Sequence, residues 1–203
     1  MTRCRSLVRC VNSQMKTIVA SICTLEPQCA SHAREMFSVL SDLAIYEFEN
    51  EPPVDLTWLT KRFKRLESRA SPDGSEQWLN WVISLKSGGL AGYVQATVNP
   101  DRTAYVAYEL NSQYWRQGIG GNAVLSMMED LRHDYGVTTI FAVLKARNYR
   151  SLALLQKLGF VPADETVAAK HREEADELVM VHEEPDSFTS DCTGSCLDTS
   201  AGN

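Results

Sequence analysis

The amino-acid sequence predicts a single α/β domain, a central mixed sheet flanked by helices, in the order β-α-α-β-β-β-α-β-α-β-β. Three observations predict it. Runs rich in β-branched and aromatic residues alternate with runs whose apolar residues recur at helical spacing. Three strand-like runs follow one another in the middle of the chain, two of them flanking the hairpin turn Lys86-Ser87-Gly88-Gly89. A glycine-rich turn, Gly118-Ile119-Gly120-Gly121, joins the end of the third run to a helix. Helices and strands in such alternation pack as layers around one sheet.

Taken in order, residues 1–15 read as a basic, flexible leader with Arg3, Arg5 and Arg9, and Met15 is a candidate start. A domain over 16–183 follows. Lys16 to Leu25 alternates Ile18, Ala20 and Ile22, a first strand closed by Glu26-Pro27. Pro27 to Tyr46 carries Ala33, Met36, Phe37, Leu40, Leu43 and Ala44 at helical spacing. Pro52-Pro53 breaks that helix. Asp55 is an N-cap candidate for a second helix with Leu56, Leu59, Phe63 and Leu66 on one face. Ser71 to Ser75 is a loop by composition. Strands are expected over Gln77 to Leu85, Leu90 to Val98 and Thr103 to Leu110. The helix behind the glycine turn carries Val124, Met127, Met128, Leu131 and Tyr135 and stops at Gly136. Val137 to Leu144 is a strand. Asn148 caps a helix with Leu152, Leu155 and Leu158. Phe160 to Ala168 and Glu177 to His182 read as a final strand pair. Residues 184–203 are polar and rich in Ser, Thr, Gly and Asp, the composition of a disordered tail.

Composition narrows the function classes. A net charge of -6 argues against a nucleic-acid partner. The basic run Lys61-Arg62-Phe63-Lys64-Arg65 reads as a solvated helix face. The sequence holds no apolar run long enough to span a bilayer and no apolar segment behind the leading arginines, so neither a membrane nor a secretory route is expected, and the location is read as cytoplasmic. The six cysteines (Cys4, Cys10, Cys23, Cys29, Cys192 and Cys196) make no metal pattern and read as free thiols. His32, His133, His171 and His182 lack spaced partners, so no metal is expected. Trp78 and Trp81 read as packing residues on a sheet face.

The glycine turn carries the chemistry. A strand-to-helix turn presents unpaired N–H groups and the positive end of the helix dipole, a site that suits phosphate. Glycines let the backbone approach the ligand. Downstream lie Asn148-Tyr149-Arg150-Ser151 and Leu158-Gly159-Phe160. On these two segments the chain resembles the GNAT superfamily of acetyl-CoA-dependent N-acetyltransferases, over about Lys16 to His182. The family's acyl-donor loop, Q/R-x-x-G-x-G/A, corresponds to Trp115-Arg116-Gln117-Gly118-Ile119-Gly120. Trp115 departs from the general pattern. It is similar to the branch that includes ribosomal-protein N-terminal acetyltransferases, where an aromatic residue opens the loop.

The resemblance implies a fold, a co-substrate and site residues. The strand before the loop splays from its neighbour, and Leu110, Asn111 and Ser112 at its end hold the pantetheine arm of acetyl-CoA. The amides of Gly118, Ile119, Gly120, Gly121, Asn122 and Ala123 hold the pyrophosphate. Asn148 bonds the pantetheine or acetyl region, and the Leu110 N–H serves the oxyanion.

Acetyl transfer needs a deprotonated amine, a donor for the developing oxyanion and a proton for the leaving thiolate. The tyrosine that many family members place seven residues after the Asn is Leu155 here. Ser151 is the candidate donor instead, resembling the serine of the ribosomal-protein branch. It also stands where a residue would serve the helix start behind the cap Asn148. The glutamate that some members place five residues before the Asn is Val143 here. Glu109 is the candidate base. Strand alternation turns it from the amine unless a bulge re-aims it, and Tyr108 then takes the active face. Glu47, Glu49 and Glu51 form either an acidic lip or, as composition favours, a solvated loop. The expected acceptor is a small-molecule or peptide amine. A non-catalytic acetyl-CoA sensor is the rival reading, and a homodimer is left open.

Overall fold

The computed structural model describes residues 15–183; the expected leader and tail lie outside the described residues. These form a mixed eight-stranded sheet with helices on both faces. The strands are β1 (Ile18–Val19), β2 (Cys23–Pro27), β3 (Gln77–Leu85), β4 (Leu90–Val98), β5 (Thr103–Leu110), β6 (Thr139–Lys145), β7 (Val161–Pro162) and β8 (Glu177–Glu183). They lie side by side as β1-β2-β3-β4-β5-β6-β8-β7. The helices are α1 (Ala33–Leu40), α2 (Leu56–Leu66), α3 (Ile119–Tyr135), α4 (Tyr149–Lys157) and α5 (Glu165–His171). All pairings are antiparallel except β5–β6.

Period-two alternation sorts the side chains into two cores. Leu79, Trp81 and Ile83 of β3 pack with Val94, Ala96, Val106, Met127, Leu131 and Leu155, under α3 and α4. Val82 on the opposite face packs with Leu90, Met36, Leu40, Leu59 and Phe63, under α1 and α2. A smaller cluster of Phe141, Val179 and Ala168 seats α5 on that second face. Trp81 is fully buried. Trp78 is half-buried on the other face, with its indole N–H on Glu76 Oε2 at 2.9 Å.

The three central strands, α2 and α3 stand where the sequence predicts them. Asp55 accepts from the Trp58 N–H at 2.7 Å and caps α2. Four expectations need correction. The first strand is a hairpin: the Ala20 N–H bonds the Cys23 carbonyl, folding β1 back on β2, and β2 runs on through Pro27. The first helix is split. Ser41 Oγ caps back to the Phe37 carbonyl at 2.6 Å, and Asp42 accepts from the Ala44 N–H to start a separate 3₁₀ turn, Leu43–Tyr46. The strand expected from Val137 begins at Thr139. The expected strand over Phe160–Ala168 is only β7 followed by α5. There Asp164 accepts from the Val167 N–H at 3.0 Å, an N-cap that diverts the chain into a helix.

Candidate active site

The site lies where β5 and β6 part. Their parallel pairing runs from Thr103–Thr139 to Tyr105–Phe141, and among the described residues no rung follows. Beyond it β5 stays paired to β4 as far as Leu110, while β6 stays paired to β8. The splay opens a cleft of about 1410 Å³. Because the gap passes through the sheet, both faces line it. Tyr108 and Leu110 reach it from the α3–α4 side, and Glu109 reaches it from the α1–α2 side. The bulge made a condition for Glu109 is therefore not needed: the β4–β5 register runs without a shift.

At the end of β5 the backbone groups divide. The Asn111 N–H bonds the Ala91 carbonyl at 2.9 Å, so the N–H and C=O of Leu110 point away from β4, into the gap. The Leu110 carbonyl accepts the Trp115 indole N–H at 2.8 Å. Asn111 Nδ2 holds the Val39 carbonyl, and the Ser112 N–H donates to Asp42 at 2.7 Å. The Asn111 and Ser112 amides are thus spent inside the protein, whereas the Leu110 N–H faces the cleft. Close approach of β4 and β5 requires Gly92, since a Cβ there would stand 2.0 Å from the Glu109 carbonyl oxygen.

The glycine turn closes the other end. Arg116 and Gly118 take left-handed backbone at φ 60° and 80°. The first α-helical bond of α3 joins the Asn122 N–H to the Gly118 carbonyl at 3.0 Å. The amides of Ile119, Gly120 and Gly121 precede it and have no place in the helix ladder. They line the cleft at the positive end of a 17-residue helix. Asn122 also spends its side chain, accepting from the Ile22 N–H at 3.0 Å to pin the β1–β2 hairpin. Ala123 is fully buried in the core. The amides of this turn left outside the helix ladder are therefore those of Ile119 to Gly121, and an acyl-CoA pyrophosphate would fit them in charge and in access.

Between the two ends lies a hydrogen-bonded chain. The Tyr108 hydroxyl donates to Ser151 Oγ at 3.2 Å. The Ser151 N–H donates to Asn148 Oδ1 at 3.1 Å, and Asn148 and Glu49 both line the cleft. Asn148 and Ser151 thus form the helix start and line the cleft at once. Burial pushes the Tyr108 phenol up to about 12, against the opposing Ser151 hydrogen bond. It keeps its proton at neutral pH. Leu155 and Val143 also line the cleft, and neither can donate or accept a proton.

Glu109 stands beside Tyr93, its rung partner on β4. Burial raises its carboxyl above the ordinary range, while Tyr93 and the Arg62 charge pull it down. Tyr46 stands nearby, its phenol raised by burial and then by the Glu109 charge. A strap, Glu47-Phe48, crosses α4. Arg150 Nη2 pairs with Glu47 at 2.5 Å, and its guanidinium stacks on Trp115 at 4.4 Å and Phe48 at 4.8 Å. Arg147 holds the Phe48 carbonyl at 3.0 Å. Of the three loop carboxylates, Glu47 is tied down, and Glu49 and Glu51 line the cleft. Sequence reasoning missed Tyr46, Tyr93 and Arg62. Only the Tyr93–Glu109 pairing leaves a signal, and it requires the strand register.

The described residues include no group of His, Cys, Asp and Glu that could hold a metal ion, and no helix long and apolar enough to cross a membrane. None of the curated proteins matches the sequence significantly. Solved structures do share the fold. Ribosomal-protein-S5-alanine acetyltransferase from Vibrio fischeri is 19% identical, with 86% of this chain and 100% of that chain covered and a TM-score of 0.67. RimJ from Mycobacterium smegmatis, solved in complex with CoA-disulfide, is 19% identical over 83% of this chain and 87% of that one, at a TM-score of 0.69. A chimera of spermidine N-acetyltransferase SpeG from Vibrio cholerae and hSSAT is 16% identical over 80% and 96%, at 0.65. The model of the acetyltransferase (GNAT) domain matches residues 23–161, well over half of the chain. With splayed strands and a glycine turn at the start of α3, this chain belongs to the GNAT acetyltransferases.

Proposed function

We propose that the cleft moves acetyl from acetyl-CoA to a primary amine, by direct attack in a ternary complex. One observation carries the reading. The gap between β5 and β6 holds the turn amides of Gly118 to Gly121, the Leu110 N–H, Tyr108 with Ser151, and Glu109 in a single cleft. The turn amides take the pyrophosphate of the donor, and the splayed end of β5 takes its pantetheine arm. The acceptor enters from the α1–α2 side, where Glu109 removes a proton from the ammonium and frees the lone pair. Nitrogen attacks the thioester carbonyl, and the Leu110 N–H bonds the oxyanion. As the C–S bond breaks, Tyr108 gives its proton to the thiolate. The proton lost by the attacking nitrogen returns to Tyr108 through Ser151. No covalent enzyme intermediate is required. Relatives that acetylate a ribosomal protein or spermidine support a protein N-terminus or a small amine as acceptor.

Two measurements test this. Acetyl-CoA at about 100 times its Kd should stabilise the fold by roughly 2.7 kcal/mol, read as a rise in melting temperature. Added amines should then speed the release of CoA thiol. Saturable binding with no amine-dependent release would mark a sensor. No binding at millimolar acetyl-CoA would end both readings.

A further inference from the structure

The cleft does not end at Glu109. One same-face rung further along the sheet, Asn80, Gln95 and Ala107 stand side by side on β3, β4 and β5, next to the rung Val82, Tyr93 and Glu109. That step is about 7 Å along a strand. Ala107 is exposed, and its methyl leaves the sheet surface open there. Gln28, just past β2, joins the row through its N–H, which donates to the Asn80 carbonyl at 2.8 Å. Gln28 and Asn80 are buried, at 2% and 4% exposure, yet both line the cleft together with Gln95 and Arg62. Asn80 Nδ2 is held on the Trp78 carbonyl at 3.2 Å. The buried Gln28 Nε2 has no hydrogen-bond partner among the described residues. Buried amides are normally paired, so a cleft-lining residue whose side-chain donor is left orphaned is a place for a ligand acceptor atom once the side chain turns to it. A second opening, lined by Arg62, Arg65, Trp78, Gln95 and Thr97, continues from the same floor to the surface.

From this arrangement we infer that Gln28, Gln95 and Arg62 form an acceptor subsite for a carboxylate, placed about 7 Å from the Glu109 rung. The inference rests on the acetyl-transfer reading and adds the substrate class: amines that carry a carboxylate a short, extended span from the nitrogen. Gln28 Nε2, the Gln95 amide and the Arg62 guanidinium supply donors, and Arg65 adds positive charge at the outlet. Two sources of that carboxylate are available, a free amino-acid-like carboxyl end and an acidic side chain behind a peptide N-terminus.

The test compares kcat/KM within matched pairs, followed by CoA-thiol release. Glycyl-alanine is set against glycyl-alaninamide, and alanyl-aspartyl-alaninamide against alanyl-asparaginyl-alaninamide. A preference of about tenfold or more for the carboxylate member is expected in at least one pair, since a hydrogen bond to a charged group is at stake. The pair that shows it identifies the source. In Gln28→Leu and in Arg62→Gln the ratio should fall toward one. The ratio is taken within each variant, so partial loss of folded protein cancels, and Arg62 lies on an exposed helix face where folding is not at risk. Measurable turnover with ratios near one in the unaltered protein overturns the subsite and leaves acetyl transfer standing. So do ratios that survive both substitutions. No release with any amine overturns acetyl transfer and the subsite together.

Discussion

Replacing Tyr108 with Phe separates chemistry from folding. The substitution keeps the ring and removes one hydroxyl, whose bonds are to Ser151 Oγ at 3.2 Å and the Ser151 carbonyl at 3.4 Å. Both are long, so the loss of stability should stay within about 0.5–1.5 kcal/mol. For a domain of this size that lowers the melting temperature by roughly 2–6 °C. The kinetic loss should be far larger. A positioned proton donor is worth roughly 10²–10⁴ in rate, and Leu155, where many family members carry a tyrosine, cannot replace it. Saturating kcat, read as CoA thiol release, should therefore fall by about 10² or more while acetyl-CoA affinity changes little. Because burial pushes the phenol up to about 12, it stays protonated across the usual assay range. Its deprotonation therefore puts no alkaline limb into the kcat profile below about pH 10. Ser151→Ala leaves the phenol in place with only the carbonyl contact, so a loss of about tenfold is expected. A Tyr108→Phe enzyme with kcat within about twofold of the original would refute the donor assignment, whatever its melting temperature.

Four further outcomes follow from the same geometry. Burial raises the Glu109 carboxyl, so the folded state holds that proton more tightly than the unfolded chain does. Its stabilising share is complete below the ordinary value of 4.5 and is lost as pH rises through the folded value. Glu109→Gln should therefore melt higher than the parent at pH 7, lose that advantage toward pH 4, and be nearly inactive; equal melting at both pH values would contradict the burial argument. Gly118→Ala forces a Cβ onto backbone at φ 80° and should cost about 1–2 kcal/mol, together with weaker acetyl-CoA binding by calorimetry. Gly92→Ala meets the Glu109 carbonyl at 2.0 Å and should lower stability by about 3 kcal/mol or more in a urea titration. Arg150→Met frees Glu47 and the Phe48 ring, so amide exchange over 46–51 should quicken while global stability falls by about 1 kcal/mol or less.

Local signals of the fold were readable where a residue acts on its own neighbours. Asp55 caps α2 whatever the rest of the chain does, and Gly136 ends α3 in left-handed backbone at φ 66°. The hairpin glycines and period-two alternation place β3 to β5 without tertiary help. Errors came where two local preferences competed. Val161 to Ala168 has strand-like residues, but the Asp164 side chain offers the backbone a helical start. Ser41 and Asp42 interrupt a run whose apolar spacing alone continues the helix. Apolar period cannot see such side-chain bonds to the backbone.

The site was readable only as far as it is linear. Glycine turn and Asn148 segment each lie on one stretch of chain, so their spacing is visible. Tyr46, Tyr93, Arg62, Gln28 and Asn80 come from five separate places, and only strand register and helix packing bring them to the cleft. Even within β5 the sequence poses a false choice. Adjacent residues on a strand face opposite sides of a sheet, so a site on one face could use Tyr108 or Glu109 but not both. Ending the β5–β6 ladder at Tyr105–Phe141 removes the choice. Past that rung, among the described residues, no strand pairs with β5 on its β6 side to separate the two faces. A buried phenol that keeps its proton and a carboxyl from the opposite face then line one gap. In the proposed reaction the two would then meet the substrate from opposite faces, each in the protonation state that its own surroundings set.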